Sequence, residues 1–154
     1  MLLKPLLTTS AKYVAGTVAS GAIPTVLVQK NDIWCETLNK PSWNPPNYAF
    51  PIIWTVLNTM IGLSASYAVP GHAGAKFSFF FNRFLSILWT PVFFMNKNLR
   101  GATDLSRTIL LSAFYMMYKF SHNTFAVKLL VPYVLWLYCA TVLSSKIEQL
   151  NTYE

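Results

Sequence analysis

Charge is scarce in this chain: 11% of its 154 residues are Asp, Glu, Lys or Arg, and only five residues are acids. A soluble domain carries about 25% charge. Here 54% of the residues are hydrophobic and the mean hydropathy is +0.40. Soluble packing could not hide that much apolar surface, so a lipid environment is the economical reading. Cysteine is also sparse. Cys35 and Cys139 lie far apart, with no CxxC spacing and no histidine partner, so neither a disulfide framework nor a metal site is implied. Missing too are a Gly-rich phosphate loop, paired carboxylates inside an apolar run and any nucleophile–base spacing. Hydrolytic, metal and nucleotide chemistry therefore have no carrier, and the chain does not read as an enzyme. His72 and His122 fall in predicted loops, with no catalytic role expected. The net charge of +7 comes without a basic run; scattered Lys and Arg in short loops suit anionic lipid head groups, not nucleic acid.

What the chain does have is five apolar runs, which predict an all-α, single-domain bundle of five transmembrane helices over residues 1–154. The runs cover about residues 11–29, 48–69, 77–95, 104–120 and 125–145. Gly16, Gly21 and Pro24 inside the first are tolerable in lipid. The fourth is the weakest, because Arg107 and Lys119 bracket only eleven uncharged residues where a span needs about 20 apolar ones. Both cations must snorkel for it to cross. No internal repeat is present. The first acid is Asp32, and Lys4 and Lys12 lie among Thr and Ser, a composition compatible with a mitochondrial address. Another span follows the first run, which is therefore read as retained. A mitochondrial membrane is expected in a eukaryote and a cell-envelope membrane in a bacterium. If all five runs cross, the cations divide six against six between the two sides, so the positive-inside rule sets no orientation.

Between the first two runs lies "WCETLNKPSWNPPNYAF", residues 34–50. Pro41, Pro45 and Pro46 stiffen it and bias the preceding residues toward extended forms. Trp34 and Trp43 carry amphipathic rings that favour the membrane–water boundary. Taken alone, the stretch reads equally well as an interfacial anchor.

The spacing W-x-x-x-L-x-K-P-x-W-x-P-P-x-x-x-F-x-x-x-W-x-x-L, carried by Trp34, Leu38, Lys40, Pro41, Trp43, Pro45, Pro46, Phe50, Trp54 and Leu57, resembles the translocator protein family, also called tryptophan-rich sensory proteins or peripheral benzodiazepine receptors. Two further blocks agree: "WTPVFF" from Trp89, and "LLVPYVLWLYCATVL" from Leu129 to Leu143. The resemblance implies a five-helix membrane bundle, often dimeric, whose first loop (about residues 30–47) closes like a lid over a cavity between the helices. It also implies a flat hydrophobic ligand, a porphyrin or other tetrapyrrole or a sterol, with no cofactor required beyond such a bound porphyrin or a lipid. The expected partners are membrane lipids, that ligand, and a second copy or a larger membrane complex. By the same resemblance Trp54 and Trp136 line the cavity, Ala140 leaves space beside Trp136, and Pro45 and Trp43 belong to the roof. Without the resemblance, helix–helix packing would be the plainer reading of both tryptophans; the resemblance favours the pocket.

Departures from the family pattern also fall on candidate ligand-binding positions. Cys35 stands where Tyr is usual, Asn58 where an aromatic is usual, and Asn82 and Ser86 where the family tends to show Gln and Asn. Positions 82, 86 and 89 share one helical face, and their polar groups suit either a ligand's edge or a neighbouring helix. These departures keep a second reading open: a structural membrane subunit that has the fold without the ligand. A porphyrin-degrading activity, suggested for some members, ranks third, since no proton-transfer group is evident in the runs. A sterol motif after the fifth run is not supported, because no Tyr lies between Leu143 and Lys146. Arg83 is the oddest residue, a charge inside an apolar run, expected to snorkel or to pair with an acid or a lipid head group. Lys128 reads the same way.

Overall fold

The computed structural model describes the backbone of residues 3–29 and 32–152 and the side chains of 7–21 and 33–152. The described residues are helices and turns. In chain order they form α1 (Leu3–Gln29), α2 (Asp32–Thr37), α3 (Ala49–Ala68), α4 (Ala73–Thr90) with a π-helical turn at Pro91–Met95, α5 (Leu99–Lys119) and α6 (Thr124–Thr152).

The helix ends have local causes. α3 stops before Pro70-Gly71, where Gly71 has φ +79°, a left-handed conformation that glycine adopts without a Cβ penalty. Pro91 has no N–H to continue the α4 ladder, and the chain widens there into a π turn, a common response to an interrupted helix. Asn98 caps α5: its side chain accepts the Gly101 N–H at 2.8 Å. His122 closes two helix ends, with ring nitrogens 3.1 Å from the carbonyl oxygens of Ala68 and Lys119. His72 stacks on it at 3.8 Å.

α1 packs on α3, α3 on α6, and α5 on both α4 and α6. The interior is a mixture of apolar and small polar side chains. Ile61, Ala65, Met116, Leu130 and Tyr133 are sealed beside Ser64, Ser78, Asn82 and Thr103. The exterior is apolar: Phe77, Phe80, Phe81 and Phe84 line one outward face of α4, and Leu111, Phe114, Tyr115 and Tyr118 one of α5. Apolar outside with polar groups paired inside is the arrangement lipid selects, since unsatisfied polar groups in hydrocarbon are costly.

Small residues bring α1 and α3 together. Thr17 Oγ1 donates to the Asn58 carbonyl at 2.8 Å, Ser10 and Ser66 hydroxyls meet at 2.9 Å, and Ser64 Oγ donates to Ala126 O of α6 at 2.7 Å. A Cβ on Gly62 would lie 2.6 Å from the Val14 Cα.

Five helices stand where the five apolar runs were expected, each 18 residues or longer. Among the described residues, three of them (α3, α4 with its π turn, and α6) are both long and apolar enough to cross a bilayer. α5 holds Arg100, Asp104 and Arg107 in its first half, and α1 is rich in Gly, Ala, Ser and Thr. α5 also begins five residues before the predicted run, and α6 ends seven residues beyond it. The lid-like stretch is not all loop, because α2 occupies six of its residues; residues 30 and 31 of that stretch lie outside the described ones.

Gly62→Ala is expected to destabilise the protein in detergent by about 1–3 kcal/mol through overpacking against α1. Thermal unfolding followed by circular dichroism measures this, and an unchanged midpoint would show that α1 gives way without cost.

Candidate functional site

Arg83 lies on the buried side of α4, 8% exposed. It neither snorkels nor meets a carboxylate, contrary to both expectations. One Nη donates to Asn58 Oδ1 of α3 at 2.8 Å. The other reaches Tyr133 OH of α6 at 3.0 Å, Ser86 Oγ at 3.1 Å and Asn82 Oδ1 at 3.4 Å. The guanidinium carbon sits 5.4 Å from the centroid of the Tyr133 ring, within cation–π range. A central arginine costs about 2.5–3.5 kcal/mol on insertion scales, whereas one hydrogen bond to a charged group is worth about 1.5–3 kcal/mol. Two good bonds therefore offset the insertion cost. Lys128, read in the same way, is exposed as a snorkelling lysine would be.

Asn82, fully buried, extends the network. Its amide donates to Ser112 Oγ at 2.8 Å and to Ile109 O at 3.3 Å, both on α5, while its Oδ1 accepts from Tyr133 OH at 2.8 Å. Ser86 donates to the Asn82 carbonyl at 2.9 Å. Trp89, one turn on, donates to Ala102 O and Ser106 Oγ of α5 at 3.0 and 2.8 Å. The polar face at 82, 86 and 89 thus binds helices to one another, and Asn58 joins it from α3.

The two cavity tryptophans flank this hub. Trp54 lies one helical turn before Asn58, and its ring meets Tyr133 edge-on at 6.4 Å. Trp136, one turn after Tyr133, meets Phe50 at 6.0 Å. Its indole N–H is buried and has no acceptor, and the same is true of Arg83 Nε–H. Ala140 is half-buried on the Trp136 face. Two open surface hollows lie elsewhere. One, about 240 Å³, is bounded by Trp43 and by Thr141, Val142, Ser145, Lys146 and Gln149 of α6. The other, about 370 Å³, runs along Pro51, Ile52, Thr55 and Val56. A macrocycle could enter between α3 and α6 only if their aromatic rings part.

The connecting stretch is anchored at two points. α2 docks through Trp34, whose ring lies 5.4 Å from Phe93 of the π turn, with Lys97 Nζ 5.7 Å from the Trp34 ring centroid. Lys97 has φ +50°, a conformation few non-glycine residues adopt. Cys35 and Leu38 pack on the same Phe93–Phe94–Ala102 cluster, so Cys35 stands apart from the Trp54–Trp136 group. Beyond it, Asn39 and Asn151 exchange two hydrogen bonds: Asn39 N–H to Asn151 Oδ1 and Asn151 Nδ2 to Asn39 O, both 2.9 Å. Pro41 and Pro46 open tight turns closed by the N–H groups of Asn44 and Ala49 at 2.9 Å. Pro45 is half-buried, while Trp43 is exposed over α6.

A family model described as the TspO/MBR family matches residues 13–150. The chain belongs to that family. It is 34% identical over 145 residues to a tryptophan-rich sensory protein of Cereibacter sphaeroides, covering 92% of each chain. It is 31% identical over 156 residues to protein CrtK of Rhodobacter capsulatus, covering 94% of each. The tryptophan-rich protein TspO of Bacillus cereus is 31% identical over 134 residues, covering 84% of this chain and 88% of that one. Membership, together with three helices able to cross, makes this TspO/MBR chain a membrane protein, and the name of the Cereibacter sphaeroides relative describes sensing.

Sequence reasoning missed Tyr133, Asn39 and Asn151 in this TspO/MBR chain. A hydroxyl following Pro132 within an apolar run was a usable signal for Tyr133. Asn39 and Asn151 are separated by more than a hundred residues, and no local pattern connects them.

Asn82→Leu removes bonds to α5 and α6 together and is expected to cost about 1–3 kcal/mol; unfolding in detergent would measure it, and an unchanged midpoint would deny the network a stabilising role. Asn151→Ala is expected to release the stretch after Leu38, seen as faster limited proteolysis there without a change in helix content. Unaltered cleavage would mean the paired asparagines do not hold it.

Proposed function

We propose that this chain is a five-span membrane receptor or carrier that binds a flat hydrophobic ligand, of porphyrin or sterol-like shape, between α3 and α6. The observation that carries the reading is the placement of Trp54 and Trp136 on facing helices, Trp54 across from Tyr133 and Trp136 one turn along α6 from it, with the Trp136 indole N–H buried and lacking an acceptor. Large aromatic faces suit a flat apolar body, and a single unpaired donor suits its polar edge. The stretch over residues 32–48, pinned by Trp34 and by Asn39–Asn151, would serve as a lid whose stiffness lowers the ordering cost of closure. The sensory name of the Cereibacter sphaeroides relative supports a receptor role. For α5, the outward row of Leu111, Phe114, Tyr115 and Tyr118 supports a crossing, with 21 residues giving about 31 Å of helix. The acid-poor start favours a mitochondrial membrane in a eukaryote.

A second reading, a structural subunit of a larger membrane assembly, is favoured by one observation. Asn58, Asn82 and Ser86 are engaged with Arg83 and neighbouring helices. Native-gel migration after gentle extraction separates the two: a monomer- or dimer-sized particle fits the receptor, and migration only within a large assembly fits the subunit.

Protoporphyrin is expected to quench the tryptophan fluorescence saturably, and Trp54→Phe with Trp136→Phe together should abolish that saturable component. Undiminished binding by the double variant would refute the pocket.

A further inference from the structure

We infer that the site between α3 and α6 takes its ligand as an anion, a carboxylate on an otherwise apolar body, with Arg83 as the counter-charge. This rests on the pocket reading and adds the ligand's charge to it. Two buried side-chain atoms among the described residues lack a hydrogen-bond partner, Arg83 Nε and Trp136 Nε1. Both are donors, so what the site lacks is an acceptor. Tyr133 is common to both: it bonds Arg83 directly and lies one turn from Trp136 on α6.

Charge points the same way. Every acceptor around Arg83 is a neutral amide or hydroxyl. The one ion pair among the described residues is Arg107–Asp104, at the exposed end of α5. The other acids, Asp32, Glu36, Glu148 and Glu154, belong in sequence to the first connecting stretch or the C-terminal end, and among the described residues no carboxylate pairs with Arg83. A lone guanidinium in a low-dielectric interior favours an anion strongly. A carboxylate on a neighbouring protein's helix cannot reach it from outside, because Arg83 is 8% exposed. A small ligand entering between the rings of Trp54 and Trp136 can.

The test compares protoporphyrin with its dimethyl ester, the same macrocycle with and without carboxylates, by tryptophan quenching of the purified full chain in neutral detergent. The acid is expected to bind about ten- to a hundredfold more tightly, the range of a hydrogen-bonded charge. That preference should persist in about 1 M salt, which screens surface lysines but not a buried pair. In Arg83→Gln, checked for unchanged helix content, the acid-to-ester ratio should fall toward one. Equal binding of acid and ester by the natural chain, a preference erased by salt, or one that survives in folded Arg83→Gln overturns the anion site while leaving the pocket standing. If neither compound binds, the pocket fails and the anion site with it. Should Arg83→Gln not fold, the ester comparison and its salt dependence decide the matter on the natural chain.

Discussion

A guanidinium without a carboxylate is the constraint around which this bundle is organised. Hydrocarbon gives Arg83 no water and, among the described residues, no acid pairs with it, so neutral oxygens are drawn to it from several sides. Asn58 comes from α3, Asn82 and Ser86 from α4, and Tyr133 from α6. Asn82 carries the network on to α5 through Ser112, and the Asn58 carbonyl carries it to α1 through Thr17. The five long helices are thus joined through one set of hydrogen bonds. Apolar packing alone would not specify this arrangement, because between helices in lipid the hydrophobic drive is weak. Close approach of small residues, as at Gly62 and Val14, and paired polar groups supply the specificity instead.

The same hub relates architecture to the functional reading. Trp54 and Trp136 sit one turn from members of the network, so their rings rest on a fixed base. The connecting stretch, proposed as the lid, is fixed separately: its first part on Phe93 and Phe94 and its middle on Asn151 of α6. Any widening between α3 and α6 would shift Asn151 and Tyr133, which share α6, and so would couple the lid to the hub. On the proposed reading, the two buried donors without acceptors, on Arg83 and Trp136, are where a ligand's acceptor would bind.

Much of this was legible in the sequence, and the rest was hidden for physical reasons. α3 could be bounded within a residue because Pro70-Gly71 ends it, and the tryptophan–proline spacing carries the family resemblance. α5 was begun too late because Arg100, Asp104 and Arg107 mask its apolar pattern, whereas the Asn98 cap was the better signal. α2 went unseen because six residues beside a proline-rich stretch carry too little periodicity. Asn82 was weighed as a ligand contact or a helix tie, and its amide turns to α5. The fate of Arg83 could not be read, since periodicity gives the face of a residue and not the neighbours facing it. An acid partner was the wrong expectation, because the acceptors are neutral side chains, two on α4 itself and two on α3 and α6.

The central claim is that Arg83 and Tyr133 act as one energetic unit linking α4 to α6. A double-mutant cycle with Arg83→Met and Tyr133→Phe, read by unfolding in a single detergent, tests it most directly. The two changes should be non-additive by about 1 kcal/mol or more, as for residues sharing a network. Additivity within about 0.3 kcal/mol, as for independent sites, would contradict the account.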